Sequence, residues 1–165
     1  VKDHAWPKGG TILTAVNAVS EDQAHIDLNE RVIGHATDIA KVVSANVKLV
    51  NGYPGTPVNI AIEIPEFNLN EYNSSVRAHH EQAMAQLAKK AGLPVSCCIT
   101  EEGLAEDVIP TVARNFDVEL VVIGTIGRTG LSAAFIGNTA EHVIDQLECD
   151  LLAVKPKGFK SPLAN

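Results

Sequence analysis

Apolar positions along this chain follow two rhythms, and the switches between them predict its architecture. Short β-branched or aliphatic runs at 11–16, 47–50, 94–100, 120–123 and 151–155 read as strands. Asn51-Gly52 and Pro54-Gly55 read as breakers after the second of them. Between the runs, apolar residues recur every three or four positions. Ile26, Val32, Ile33, Ala36, Ile39, Ala40 and Val43 form one such stripe, and Ser20 followed by Gln23 opens it as a capping pair. Val76, His80, Ala83, Met84, Leu87 and Ala91 form a second over 73–91, which Gly92 ends. A third helix begins near Leu104 and carries Val108, Ile109, Val112 and Ala113, with Pro110 removing one backbone donor and marking a slight kink. A fourth spans 139–147. Strands alternating with helices of this length require parallel pairing, because each crossover must return to the same end of the sheet and lay its helix on a face. The expected fold is α/β: an open five-stranded parallel sheet with helices on both faces.

In such sheets ligands bind beyond the carboxyl ends of the strands, where the order reverses. The run Leu120, Val121, Val122, Ile123 is what a strand buried on both faces needs, and Gly124 ends it. Gly127 and Gly137 follow, and Asn138 can cap the next helix. A loop of this kind lets bare backbone N–H groups approach an anion at a helix N-terminus; as a structural loop, the same glycines simply turn the chain. No Gly-Lys-Ser/Thr ending is present, and the spacing is not G-x-G-x-x-G, so two familiar phosphate loops are excluded. Segment 56–72 alternates apolar and polar residues until Pro65 stops it. Its apolar part, 58–67, reads as a flap that covers the site, docks on a partner domain, lines an apolar cavity or packs as an irregular connection.

The pattern Gly124-x2-Gly127-x9-Gly137 followed by Asn138 is similar to that of the universal stress proteins. The segment GTIGRTGLSAAFIGNTAEHVID resembles the second domain of their tandem-domain, E-type branch, and the resemblance extends through PVNIAIEIPEF and CDLLAVKP over most of the chain. It implies the strand order 3-2-1-4-5, which sets the mouth of the first strand beside that of the fourth. It also implies a ligand-binding cleft formed by Asn17, Gly124, Gly127, Arg128, Gly137, Asn138 and Thr139; Arg128, the cation nearest the loop in sequence, either clamps a phosphate or carboxylate or is an ordinary loop-surface arginine. The implied role is non-catalytic and cytoplasmic, in survival of stress including DNA damage. In the ATP-binding branch an Asp often stands where this chain has Asn17, and a hydroxyl residue where it has Ala140. The resemblance therefore implies at most weak ATP binding, with Thr139 the available substitute, and no required cofactor. The alternatives are an ATP-binding signalling module, a lipid-like or apolar ligand under the flap, and a purely structural interaction domain. Family members commonly pair through their last strand, which implies a second such domain, as another copy or a tandem half, docked on Leu151, Leu152, Ala153 and Val154. The expected organisation is a leader or linker at 1–10, the domain at 11–156 and a tail at 157–165, the whole being one half of a pair.

Composition narrows the picture further. With 165 residues, 45% of them apolar, the chain has material for one domain with a real core. A net charge of -7 and a pI near 5.3 argue against duplex nucleic acid as a direct partner. No run is long enough to span a membrane, and the N-terminal residues do not read as a signal peptide. Cys97, Cys98 and Cys149 are an odd number and read as reduced thiols. No G-x-S-x-G elbow or paired carboxylates accompany the glycine loop. His79-His80-Glu81 lacks metal-ligand spacing, so neither a metal nor catalysis is expected.

Overall fold

The computed structural model describes residues 9–55, 68–125 and 138–159. Its strands are β1 (Thr11–Ala15), β2 (Asn46–Tyr53), β3 (Cys98–Glu102), β4 (Val118–Gly124) and β5 (Asp150–Val154). All pair in parallel, in the order β3-β2-β1-β4-β5, as the resemblance implied. Helices α1 (Gln23–Val43) and α2 (Leu69–Lys90) pack on one face, and α3 (Ala105–Asn115) and α4 (Asn138–Gln146) on the other.

Alternation along the central strands explains their continuous apolar character. Ile12, Leu120 and Val122 enter the layer beneath α1 and α2, while Leu13, Val121 and Ile123 enter the layer beneath α3 and α4. Each such side chain, withdrawn from water, contributes about 1.5–3 kcal/mol of transfer free energy. Met84 and Ala88 of α2, both fully buried, close the first layer over Leu49.

Four local expectations are corrected. Asn51-Gly52 does not end β2, which continues to Tyr53, with Asn51, Gly52 and Tyr53 opposite Thr100, Glu101 and Glu102 of β3. The cap of α1 is Asp22 rather than Ser20: its carboxylate accepts from Ala24 N at 3.1 Å, and Ser20 Oγ accepts from Asp22 N at 3.3 Å. Helix α2 starts at Leu69, not at 73, because Asn68 accepts from Glu71 N at 3.2 Å and Glu71 sits in the first turn. Finally, the run from Pro94 opens as a 3₁₀ turn, Val95–Cys97, closed by Cys97 N donating to Pro94 O at 3.0 Å, and only then becomes β3. Pro110 does not interrupt α3, which runs through it with the ring buried.

Among the described residues one buried side-chain polar atom sits uncompensated. Thr14 of β1 is wholly buried, and its Oγ1 has no hydrogen-bond partner among the described residues. Desolvating an unpaired hydroxyl is unfavourable, and valine has nearly its shape without the oxygen. Thr14→Val should therefore raise stability by about 1 kcal/mol, read as a higher urea midpoint at unchanged slope. An unchanged or lower midpoint would show that the hydroxyl is compensated.

Candidate functional site

A cleft of about 550 Å³ opens over the carboxyl ends of β1, β2 and β4, where the strand order reverses. Its walls include Val16, Asn17, Asn51, His80, Gly124 and Thr139, so the first and fourth strands converge there as expected. Asn17 is exposed. Gly127, Arg128 and Gly137 lie outside the described residues, as do the 58–67 segment and the side chain of Asn138.

The floor is built on the backbone where β1 ends. Val16 N donates to Val50 O at 3.0 Å, and Val16 O accepts from Asn51 Nδ2 at 3.0 Å. One residue on, the Asn29 side chain of α1 grips both polar groups of Asn17: its Oδ1 accepts from Asn17 N at 3.1 Å and its Nδ2 donates to Asn17 O at 2.8 Å. Three backbone groups that leave the ladder at this point, Val16 O and the N–H and carbonyl of Asn17, are thereby satisfied. Two asparagines, 8% and 4% exposed, do the work of a continued strand, and each is itself bonded, so their burial is compensated.

Asn51 also orients a histidine. With Nδ2 committed to Val16 O, its Oδ1 faces His80 Nδ1 at 2.7 Å. Since Oδ1 only accepts, Nδ1 must carry the proton, and in the neutral ring Nε2 is a bare acceptor. Burial, and secondarily His79, holds the His80 pKa below its ordinary 6.5, which keeps the ring neutral at neutral pH. Tyr53 stacks on it with centroids 4.9 Å apart and planes 25° apart. On the opposite wall His25 pairs with Asp22 at 2.9 Å, a bond that together with Ala24 N lowers the Asp22 pKa.

The first glycine of the motif has a packing reason. A Cβ at Gly124 would stand 2.5 Å from Leu28 Cδ2 and 2.7 Å from its Cγ, so α1 approaches β4 this closely only over glycine. Ala140 is 3% exposed and belongs to the core between α3 and α4, so no hydroxyl from that position is offered to the cleft. Thr139 lines the cleft instead.

Asn29, Asn51 and His80 were not singled out from the sequence. Asn51 read as a strand breaker, and His80 as one position of a helical stripe. The available signal was Asn29, a polar residue lodged in a stripe between Leu28 and Val32. Elsewhere none of Cys97, Cys98 and Cys149 is in a disulfide, and burial, with Cys97 beside it, pushes Cys98 up to about 11. Among the described residues no group of three His, Cys, Asp or Glu side chains could hold a metal, and no helix is long and apolar enough to cross a membrane.

Fold and cleft together are those of a doubly wound α/β protein with its pocket at the switch point. A model of the Universal stress protein family matches residues 16–155, and the chain belongs to that family. It is 48% identical over 164 residues to Universal stress protein E of Escherichia coli (strain K12), a match that covers 99% of this chain and 52% of that protein. The chain thus spans about half the length of the curated relatives it matches. Among solved structures, it is similar to a universal stress protein of Pseudomonas aeruginosa UCBPP-PA14, at 36% identity and a TM-score of 0.71, covering 92% of this chain and 49% of that one. It also shares its fold with the universal stress protein from Archaeoglobus fulgidus in complex with dAMP, at 20% identity and a TM-score of 0.52, covering 90% of this chain and all of that one.

The Gly124 packing can be tested directly. Gly124→Val should cost about 1–3 kcal/mol by overpacking against Leu28, and a Leu28→Ala background should rescue part of that cost, the same glycine substitution being milder there than in the unaltered chain, both differences read as urea midpoints. Loss of stability without any such rescue would place the constraint elsewhere.

Proposed function

We propose that this domain is a stress-response binding protein whose cleft takes a nucleoside phosphate without turning it over. The observation that carries the reading is the convergence of Asn17, Gly124 and Thr139 on one cleft whose floor has its own backbone groups satisfied. Its size lies within the roughly 300–1,000 Å³ usual for small-molecule sites. Val16, Leu28, Val32, Val50 and Ile109 offer an apolar bed for a base, and Asn17 supplies an amide at the rim. The N-terminal turn of α4, with Thr139, favours the anionic end. In this reading Gly127, Arg128, Gly137 and Asn138 complete the phosphate side. The dAMP carried by the Archaeoglobus fulgidus relative makes nucleotide the ligand class to try first.

Binding rather than catalysis is favoured because the titratable side chains among the described lining residues are His25 and His80, and the Asp22 carboxylate paired with His25 is not itself one of those lining residues. Asn17, uncharged, forms weaker bonds to sugar hydroxyls than a carboxylate would. Isothermal titration should find ATP with magnesium binding more weakly than about 1 μM, without steady release of phosphate. Sub-micromolar ATP, or phosphate release that disappears on Arg128→Ala, would overturn this reading.

We further propose that β5 pairs with the equivalent strand of a second domain of the same family, either another copy or a tandem half. β5 ends the sheet, with β4 as its neighbour on one side. Leu151 and Leu152 are half-buried and Ala153 is exposed, whereas Val154, 5% exposed, is already committed to the core. An edge of small apolar residues is a template for another strand. Light scattering should give a dimer that Ala153→Glu converts to a folded monomer; a stable monomer of the unaltered chain would overturn the pairing.

A further inference from the structure

We propose that His80 is the acceptor by which the cleft prefers a nucleotide whose base carries an exocyclic amino group, an inference that rests on the nucleotide reading above.

Three contacts fix the imidazole. Val16 O holds Asn51 Nδ2, Asn51 Oδ1 holds His80 Nδ1, and the Tyr53 ring sets the imidazole plane. The order of donors cannot be reversed cheaply. Turning the Asn51 amide over would aim its oxygen at Val16 O and leave two acceptors facing each other in a buried position. The tautomer is therefore set by a backbone carbonyl two steps away, and Nε2 is left with its lone pair. Nε2 has no hydrogen-bond partner among the described residues, and His80 is one of the residues that line the cleft.

Asn17 and His80 then have different duties. The Asn17 amide is exposed and can rotate to offer either a donor or an acceptor, so it tolerates either kind of base edge. His80 offers only an acceptor, in one direction. An amino group opposite it makes a hydrogen bond, whereas a carbonyl oxygen there sets lone pair against lone pair. Discrimination between an amino group and a carbonyl at that ring position then falls to this residue, at about 10-fold for one half-exposed hydrogen bond.

The test is calorimetric titration of the whole chain with dAMP, dIMP and AMP, for the wild type and for His80→Phe, which keeps a ring on Tyr53 and removes both nitrogens. The wild type should bind dAMP about 10-fold tighter than dIMP, and the variant should bind the two alike. If the wild type binds none of the three, the nucleotide reading and this inference both fail. If it binds dAMP and dIMP equally, or the preference survives in His80→Phe, only the role of His80 fails. A preference for AMP over dAMP that vanishes in the variant, with the base immaterial, would assign the donor to the sugar 2′-hydroxyl and overturn the amino-group assignment. Long-range ¹H–¹⁵N spectra of the unaltered protein provide a reading independent of how the variant folds. They should show His80 protonated on Nδ1, with a bare Nε2 whose resonance moves when dAMP is added. An Nε2–H tautomer, or an Nε2 signal indifferent to saturating dAMP, would overturn the proposal.

Discussion

The structure depends on a backbone problem at the end of β1. A central strand of a parallel sheet leaves the ladder flanked by β2 and β4, and the peptide groups of Val16, which is buried, and of Asn17 after it must find partners beyond the end of the strand. The chain answers with side chains. Asn29 from α1 presents a donor and an acceptor at the spacing of a peptide edge, and Asn51 from β2 takes the remaining carbonyl. That solution ties α1 to β1 at one point, and through Leu28, one residue away, to β4 over Gly124. Cleft width, helix position and the exit of β4 toward the glycine loop are thus one geometric decision.

Once that floor is fixed, the polarity of the cleft follows. The amides that made it are spent on backbone groups, so what they present to a ligand is indirect: Asn51 shows its effect through the orientation of His80, and Asn29 through the placement of Asn17. Asn29 and Asn51 are themselves buried, which strengthens their bonds and makes the loss of one costlier. The site is in this sense preorganised by groups that never need to touch what it binds.

Much of the fold was legible in the sequence, because periodicity reports burial and burial is what makes these elements. The strands at β1, β4 and β5, the stripe of α1 and the inward residues of α3 were readable from apolar spacing alone, and the family resemblance supplied the strand order. Boundaries failed where a side chain, rather than a propensity, made the decision. Asn51-Gly52 has the composition of a turn, yet Asn51 is bonded through its side chain at both ends and Gly52 packs closely beside Gly103 and Ala105, where a Cβ would stand 3.2 Å from Gly103 O. The start of α2 was set by Asn68 rather than by the first clear apolar repeat. At the cleft, the family resemblance pointed to Asn17, Gly124 and Thr139, which are among its lining residues. It could not locate Asn29 or His80, whose roles depend on partners 12 and 29 residues away in the chain.

The same strand extension bears on the chemical durability of the protein. Asn-Gly is the dipeptide at which asparagine most readily cyclises and deamidates, because glycine leaves the following nitrogen free to attack the side-chain carbonyl. Here the Asn51 carbonyl oxygen is held by His80 and its amide nitrogen by Val16 O, while Gly52 lies in the ladder opposite Glu101. The extended backbone keeps the nitrogen and the carbonyl carbon apart. The bonds that hold the cleft floor together therefore also slow its ageing for as long as the domain stays folded. Each excursion to the unfolded state exposes the one residue whose conversion to aspartate would set a carboxylate against the carbonyl of Val16.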